Sequence, residues 1–161
     1  MLIASQTKLK LNRMIVGVLC AILLSSCAVP YRKGSFGIDG YFAELMPDGT
    51  TRVSYSISRD GAVNIANIYA AYRATEMAKE GGYNALEIVR TSDYSRNMNT
   101  TARCTVRFLN LSEADMQKAR DMPNAKSAMD IANRFGQFFP NVYPVDELQK
   151  ALEKNILREG K

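Results

Sequence analysis

One alanine-rich helix set between two pairs of alternating segments constrains this chain more than any other feature. Residues 62–80 (AVNIANIYAAYRATEMAKE) contain no proline and run into Gly81-Gly82, a natural left-handed stop. Ile65, Ile68, Tyr69, Tyr72 and Met77, with the alanines between them, form an apolar stripe. Ahead of the helix, residues 40–46 and 52–58 flank Pro47-Asp48-Gly49. Proline presets its own φ and glycine accepts a positive one, so this reads as the turn of a hairpin. Val53, Tyr55 and Ile57 share one face of the second strand, with serines on the other. After the helix, residues 83–91 predict a third strand with Leu86 and Ile88 inward, and the polar residues 92–100 a loop. Residues 101–109 alternate again, with Ala102, Cys104, Val106 and Phe108 on one side and Arg103, Thr105 and Arg107 on the other. The order predicts an α+β fold: an antiparallel four-stranded sheet in β-β-α-β-β order, one helix on its apolar face, and the other face wet.

The remainder reads as helical. Ser112-Glu113-Ala114-Asp115 has the pattern of an N-cap with an acidic residue at the third helical position. Pro123 breaks that run. A second helix over residues 125–138 carries Ala128, Ala132 and Phe135, with Phe139 following at helical spacing. A loop around Pro140 and Pro144 precedes a last amphipathic helix with Val145, Leu148, Leu152 and Ile156 on one side. With 161 residues the chain suits one domain of modest core. Four stretches result: a leader over 1–26, a tether over 27–38, the β-β-α-β-β domain over 39–111, and a helical extension over 112–161. The tether (CAVPYRKGSFGI) has glycine, proline and the adjacent Arg32 and Lys33, but no periodicity. Those two cations could touch anionic headgroups or lie solvated in a linker.

The leader carries Lys8, Lys10 and Arg13 with no acidic residue, then an uninterrupted apolar run over 14–24 (MIVGVLCAILL). These are the n-region and h-region of a secretory signal. As a helix the run would be about 16 Å long, roughly half of a hydrocarbon core, so it is too short for a permanent span. Leu24-Ser25-Ser26-Cys27 resembles the lipobox of bacterial lipoproteins: leucine, two small residues and a cysteine after the apolar run. A thiol accepts the diacylglyceryl group, and small neighbours let a peptidase reach the Ser26–Cys27 bond. Ser26-Cys27-Ala28 also satisfies the small-x-small rule for ordinary cleavage after Ala28. The lipobox resemblance implies lipid on Cys27, cleavage between Ser26 and Cys27, and a membrane as partner. One acyl chain binds only marginally; the three implied by the resemblance would make release negligible. Ala28 is not the aspartate that retains some lipoproteins at the inner membrane, so the resemblance implies the outer membrane, at its periplasmic face.

A second resemblance spans residues 40–89. Gly40-Tyr41 opening a strand, Arg73-Ala74-Thr75-Glu76 in the helix and Gly82-Tyr83 before the next strand are similar to a family of small, uncharacterised Gram-negative lipoproteins. Ala85-Leu86 stands where that family often has an aromatic pair, and Arg59-Asp60-Gly61 is unlike its segment before the helix. The resemblance implies fold and location and leaves activity open.

Composition narrows the chemistry. A hydrophobic content of 47% is that of a globular chain. The net charge of +5 includes three leader cations, so the remainder carries +2, too balanced to argue for nucleic acid. Histidine is absent, which removes the commonest general base and metal ligand. With Cys20 in the leader and Cys27 lipidated, Cys104 is the remaining thiol. It cannot form an internal disulfide or build a usual zinc site, so no metal and no cofactor are expected.

Each candidate residue has a plainer reading beside its functional one. Cys104 sits among apolar positions, where packing suits it better than nucleophilic attack. Arg73 and Glu76 are three apart on one helix face, the spacing of a structural ion pair. Tyr55, Tyr69, Tyr72 and Tyr83 could line an apolar cleft but more simply fill a core. Arg103 and Arg107 could gather an anionic headgroup or glycan, or lie on a solvated face. The last helix, with Lys150, Lys154 and Arg158 on its polar side, could meet a partner or membrane or pack on its own domain. The expectation is a non-enzymatic, lipid-anchored envelope protein acting through protein contacts in assembly, maintenance or stress sensing. The alternative is a binding module for lipid or another apolar ligand at the membrane surface, and a Ser-Lys-carboxylate hydrolase ranks third.

Overall fold

The computed structural model describes residues 30–34, 39–121 and 141–158. The leader, Cys27 with the Ser26–Cys27 bond, and the expected helix over 125–138 lie outside the described residues. The described elements are β1 (Gly40–Leu45), β2 (Thr51–Ile57), α1 (Val63–Glu80), β3 (Ala85–Arg96), β4 (Asn99–Leu109), α2 (Glu113–Asp121), β5 (Asn141–Pro144) and α3 (Val145–Glu153). The fold is α+β, with one antiparallel sheet in the order β1-β2-β4-β3-β5.

The hairpin turn forms as its residues dictate. Gly49 takes φ +79°, and Asp48 accepts hydrogen bonds from the Thr50 amide at 3.0 Å and hydroxyl at 2.6 Å. Those two bonds hold the Asp48 carboxyl below its usual range. α1 ends at the glycine pair, where Gly82 at φ +74° lets the Tyr83 amide reach back to the Ala78 carbonyl at 2.8 Å. Ser112 caps α2: its hydroxyl receives the Asp115 amide at 3.2 Å and donates to the Asp115 carboxylate at 2.8 Å.

β2 and β4 show the expected alternation. Val53, Tyr55, Ile57, Ala102, Cys104 and Val106 are buried on the inner face, and α1 lies across them. The alanines Ala66, Ala70, Ala74 and Ala78 are buried to 0% exposure, so α1 approaches the sheet without protruding side chains. Its flank meets α3, whose Val145, Leu148 and Leu152 are buried. Helix α1 is therefore covered on two sides, which explains why its burial extends well beyond one stripe.

Four expectations need correction. The polar stretch over 92–100 is mostly strand, because β3 runs on to Arg96 and β4 starts at Asn99. Asn97 and Met98 close this hairpin with φ of 53° and 59°, a two-residue turn of the kind that matches strand twist. A fifth strand comes from the Pro140–Pro144 region read as loop: β5 pairs with the start of β3, Leu86 opposite Tyr143 and Glu87 opposite Val142. The last helix ends at Glu153, so Ile156 packs on the core from the chain beyond it. Tyr83 is not core; it lies in the turn before β3, 38% exposed, stacked on Phe108 with ring centres 5.5 Å apart.

Candidate functional site

Two regions concentrate chemistry. The first lies on the inner side, where part of the expected tether is built into the fold. Tyr31 donates its amide to the Leu157 carbonyl at 2.6 Å, the Gly34 amide reaches the Tyr41 carbonyl at 2.9 Å, and the Tyr41 amide reaches the Arg32 carbonyl at 3.0 Å. Residues 30–34 thus run beside β1 and meet the chain after α3. Gly40 makes the approach possible. It sits at φ +144°, and a Cβ there would come 2.4 Å from the Gly34 nitrogen.

Tyr31 completes a cluster of rings. Its centroid lies 5.4 Å from Tyr41, 6.0 Å from Tyr55, 5.5 Å from Tyr69 and 5.3 Å from Tyr72. Tyr55, Tyr69 and Tyr72 are 0–1% exposed, and Tyr55 meets Tyr69 edge to face at 4.8 Å. Each hydroxyl has a partner: Tyr55 donates to the Pro30 carbonyl at 2.8 Å, Tyr69 accepts the Leu157 amide at 3.1 Å, and Tyr72 accepts Arg158 at 2.7 Å. Tyr31 donates to the Glu76 carboxylate. Burial raises all four phenol pKa values, and Glu76 adds to the effect at Tyr31.

The Arg73–Glu76 pair forms as its spacing predicts, at 3.1 Å. Arg73 also reaches Glu80 through two nitrogens, at 2.7 and 3.0 Å, and its guanidinium lies 4.7 Å over the Tyr41 ring. The pair is therefore part of the seat on which Tyr31 rests. Arg32 meets the Asp39 carbonyl at 3.2 Å, and Lys33 bridges to Tyr41. Cys104 is wholly buried, and burial pushes its thiol up to about 12, so thiolate is scarce at neutral pH.

The second region is a cleft of about 720 Å³ on the outer face of the sheet. Arg103, singled out from the sequence, lines it together with Arg52, Arg90, Ser92 and Thr105, and with the carboxylates Glu44 and Asp48. Arg107 stands apart, bound to Glu87 at 2.5 Å. Sequence reasoning missed Arg90. Unbroken alternation from Leu86 and Ile88 would carry Arg90 to the core side. The register instead shifts at Val89, so that Ile88 pairs with Val106 and Arg90 with Thr105. This β-bulge turns Arg90 outward. One row across the sheet then reads Arg52, Thr105, Arg90, and the next reads Ser54, Arg103, Ser92. Among the described residues no three His, Cys, Asp or Glu side chains gather as metal ligands, and no helix is long and apolar enough to cross a membrane. Comparison of the chain with protein-family models, curated proteins and solved structures found no match.

Proposed function

We propose that this is a lipid-anchored protein of the bacterial envelope, held at the periplasmic face of the outer membrane through Cys27. Its folded part then acts through contacts with envelope proteins, in assembly, maintenance or stress sensing, without catalysing a reaction. The observation that carries the reading is the docking of residues 30–34. Pro30 is three residues past Cys27, and three extended residues reach only about 10 Å. An acylated Cys27 would therefore hold the domain against the bilayer, with the edge that bears Arg32, Lys33 and β1 nearest to it. Two cations beside an anionic surface add about 1 kcal/mol each. A protein built to sample distant partners would need a longer leash.

The absence of histidine and the burial of the Cys104 thiol support the non-catalytic part. The alternative, a binder of apolar ligands, would require Tyr55, Tyr69 and Tyr72 to open onto a cleft, and these buried rings all pack against Tyr31.

Metabolic labelling with an alkyne-bearing fatty acid tests the anchor. The wild-type chain is expected to take up label and fractionate with outer membrane, and Cys27→Ser to do neither. A labelled, membrane-bound Cys27→Ser protein would refute the reading. Crosslinking in intact cells, read by mass spectrometry, tests the role: repeated recovery of no envelope protein would count against it.

A further inference from the structure

The outer cleft holds three arginines, Arg52, Arg90 and Arg103, against two carboxylates, Glu44 and Asp48. Among the described residues neither Arg90 nor Arg103 has a carboxylate partner, whereas Arg73, Arg107, Arg120 and Arg158 each have one. Arg52 reaches Glu44 only at 3.5 Å. Of the two carboxylates, Asp48 is bound by Thr50. Uncompensated like charges on one face repel, and a chain could avoid the cost by turning one of them elsewhere. Here the backbone does the opposite. The bulge at Val89 is what sets Arg90 in the same row as Arg52.

Neighbouring strands lie about 4.8 Å apart, so Arg52 and Arg90, on either side of Thr105, stand roughly 10 Å apart at the backbone. Arg103 is two residues along β4 from Thr105 and on the same face, roughly 7 Å away. A guanidinium on its flexible stem spans such distances, so the three can close on one point above Thr105. The hydroxyls of Ser54, Ser92 and Thr105 supply the floor. We infer that this cleft binds the phosphoryl group of a small soluble ligand. Donors that converge from three sides suit a tetrahedral group with three peripheral oxygens better than a planar carboxylate with two. The volume fits a small molecule. The cleft lies on the opposite face of the sheet from the Tyr31 cluster, away from the docked segment, which favours a soluble ligand over the headgroups beside the anchor.

The test is isothermal titration of the full-length protein in non-ionic detergent with glycerol phosphate, and with malonate as a carboxylate of similar charge. Glycerol phosphate is expected to bind saturably, and malonate at least roughly tenfold more weakly. Arg90→Gln and Arg103→Gln should each weaken glycerol phosphate roughly tenfold or more, the loss expected for one charge-assisted contact. Arg96→Gln, an exposed arginine outside the cleft, should leave it unchanged. Near-ultraviolet dichroism checks that each variant is folded; all three positions are exposed, so folding is not at stake. No saturation by about 10 mM, equal affinity for malonate, or an equal loss in Arg96→Gln would each overturn the assignment. Binding only to vesicles of anionic lipid would overturn it as well.

Discussion

Replacing Tyr31 with alanine separates a docked segment from a loose tether. Complete truncation of a buried aromatic costs about 3–5 kcal/mol. Tyr31 is only partly buried, so about 2–3 kcal/mol is expected, from four ring contacts at 5.3–6.0 Å and one hydrogen bond to a carboxylate. Tyr31→Phe isolates the hydroxyl. Glu76 keeps Arg73 at 3.1 Å in that variant, so the loss should be about 1 kcal/mol. For a chain of this size 1 kcal/mol moves the melting midpoint by about 4 °C, which gives roughly 10 °C for Tyr31→Ala. The chain has eight tyrosines and no tryptophan, so near-ultraviolet dichroism reports the cluster directly during thermal and urea unfolding. A surface change in a free tether would stay within about 0.5 kcal/mol. A midpoint shift below about 2 °C for Tyr31→Ala would refute the docked reading.

Other outcomes follow from single features. Met98→Gly should stabilise the hairpin by about 0.5–1 kcal/mol, because glycine takes φ 59° without a Cβ penalty; a lower urea midpoint would contradict the turn. Gly40→Ala should destabilise markedly and expose residues 30–34 to protease, since the new Cβ collides with Gly34 backbone; unchanged cleavage would count against the approach. The thiol of Cys104, with Cys27 blocked, should resist disulfide reagents until the chain unfolds, and rapid labelling of native protein would contradict its burial. From neutral pH up to about 9 stability should be level, and above that it should fall. The Cys104 thiol and the phenols of Tyr31, Tyr55, Tyr69 and Tyr72 keep their protons in the fold past the point where the unfolded chain ionises. Their contribution is whole below the unfolded pKa and is lost as pH climbs toward the raised one, starting near 9 for the thiol. A urea midpoint still constant at pH 11 would be the contrary result.

Legibility in the sequence followed the contrast between wet and dry faces. Ala102, Cys104 and Val106 alternate with Arg103, Thr105 and Arg107 because one face of β4 meets α1 and the other meets water, so the period of two was plain. Residues 91–96 are strand as well, but most of them are exposed, and a strand wet on both faces writes no alternation. Its turn also lacks glycine, with Met98 at positive φ. β5 is four residues long and ends in proline, which reads as a breaker. Arg73 and Glu76 were visible from spacing alone. Tyr31 was not, because a single aromatic in a glycine- and proline-bearing stretch has no period, and its partners Glu76 and Leu157 are 45 and 126 positions away. Arg90 was hidden by the shift at Val89, which no local composition marks.

That shift makes the electrical character of the exposed sheet a matter of counting. Straighten the strand with Val89 kept in the ladder and no arginine is lost, yet the parity of every later residue in β3 inverts: Arg90 swings toward Cys104 while Thr91 comes out into solvent. The face that Arg90 presents is therefore set by one surplus residue, Val89, that the ladder leaves unpaired.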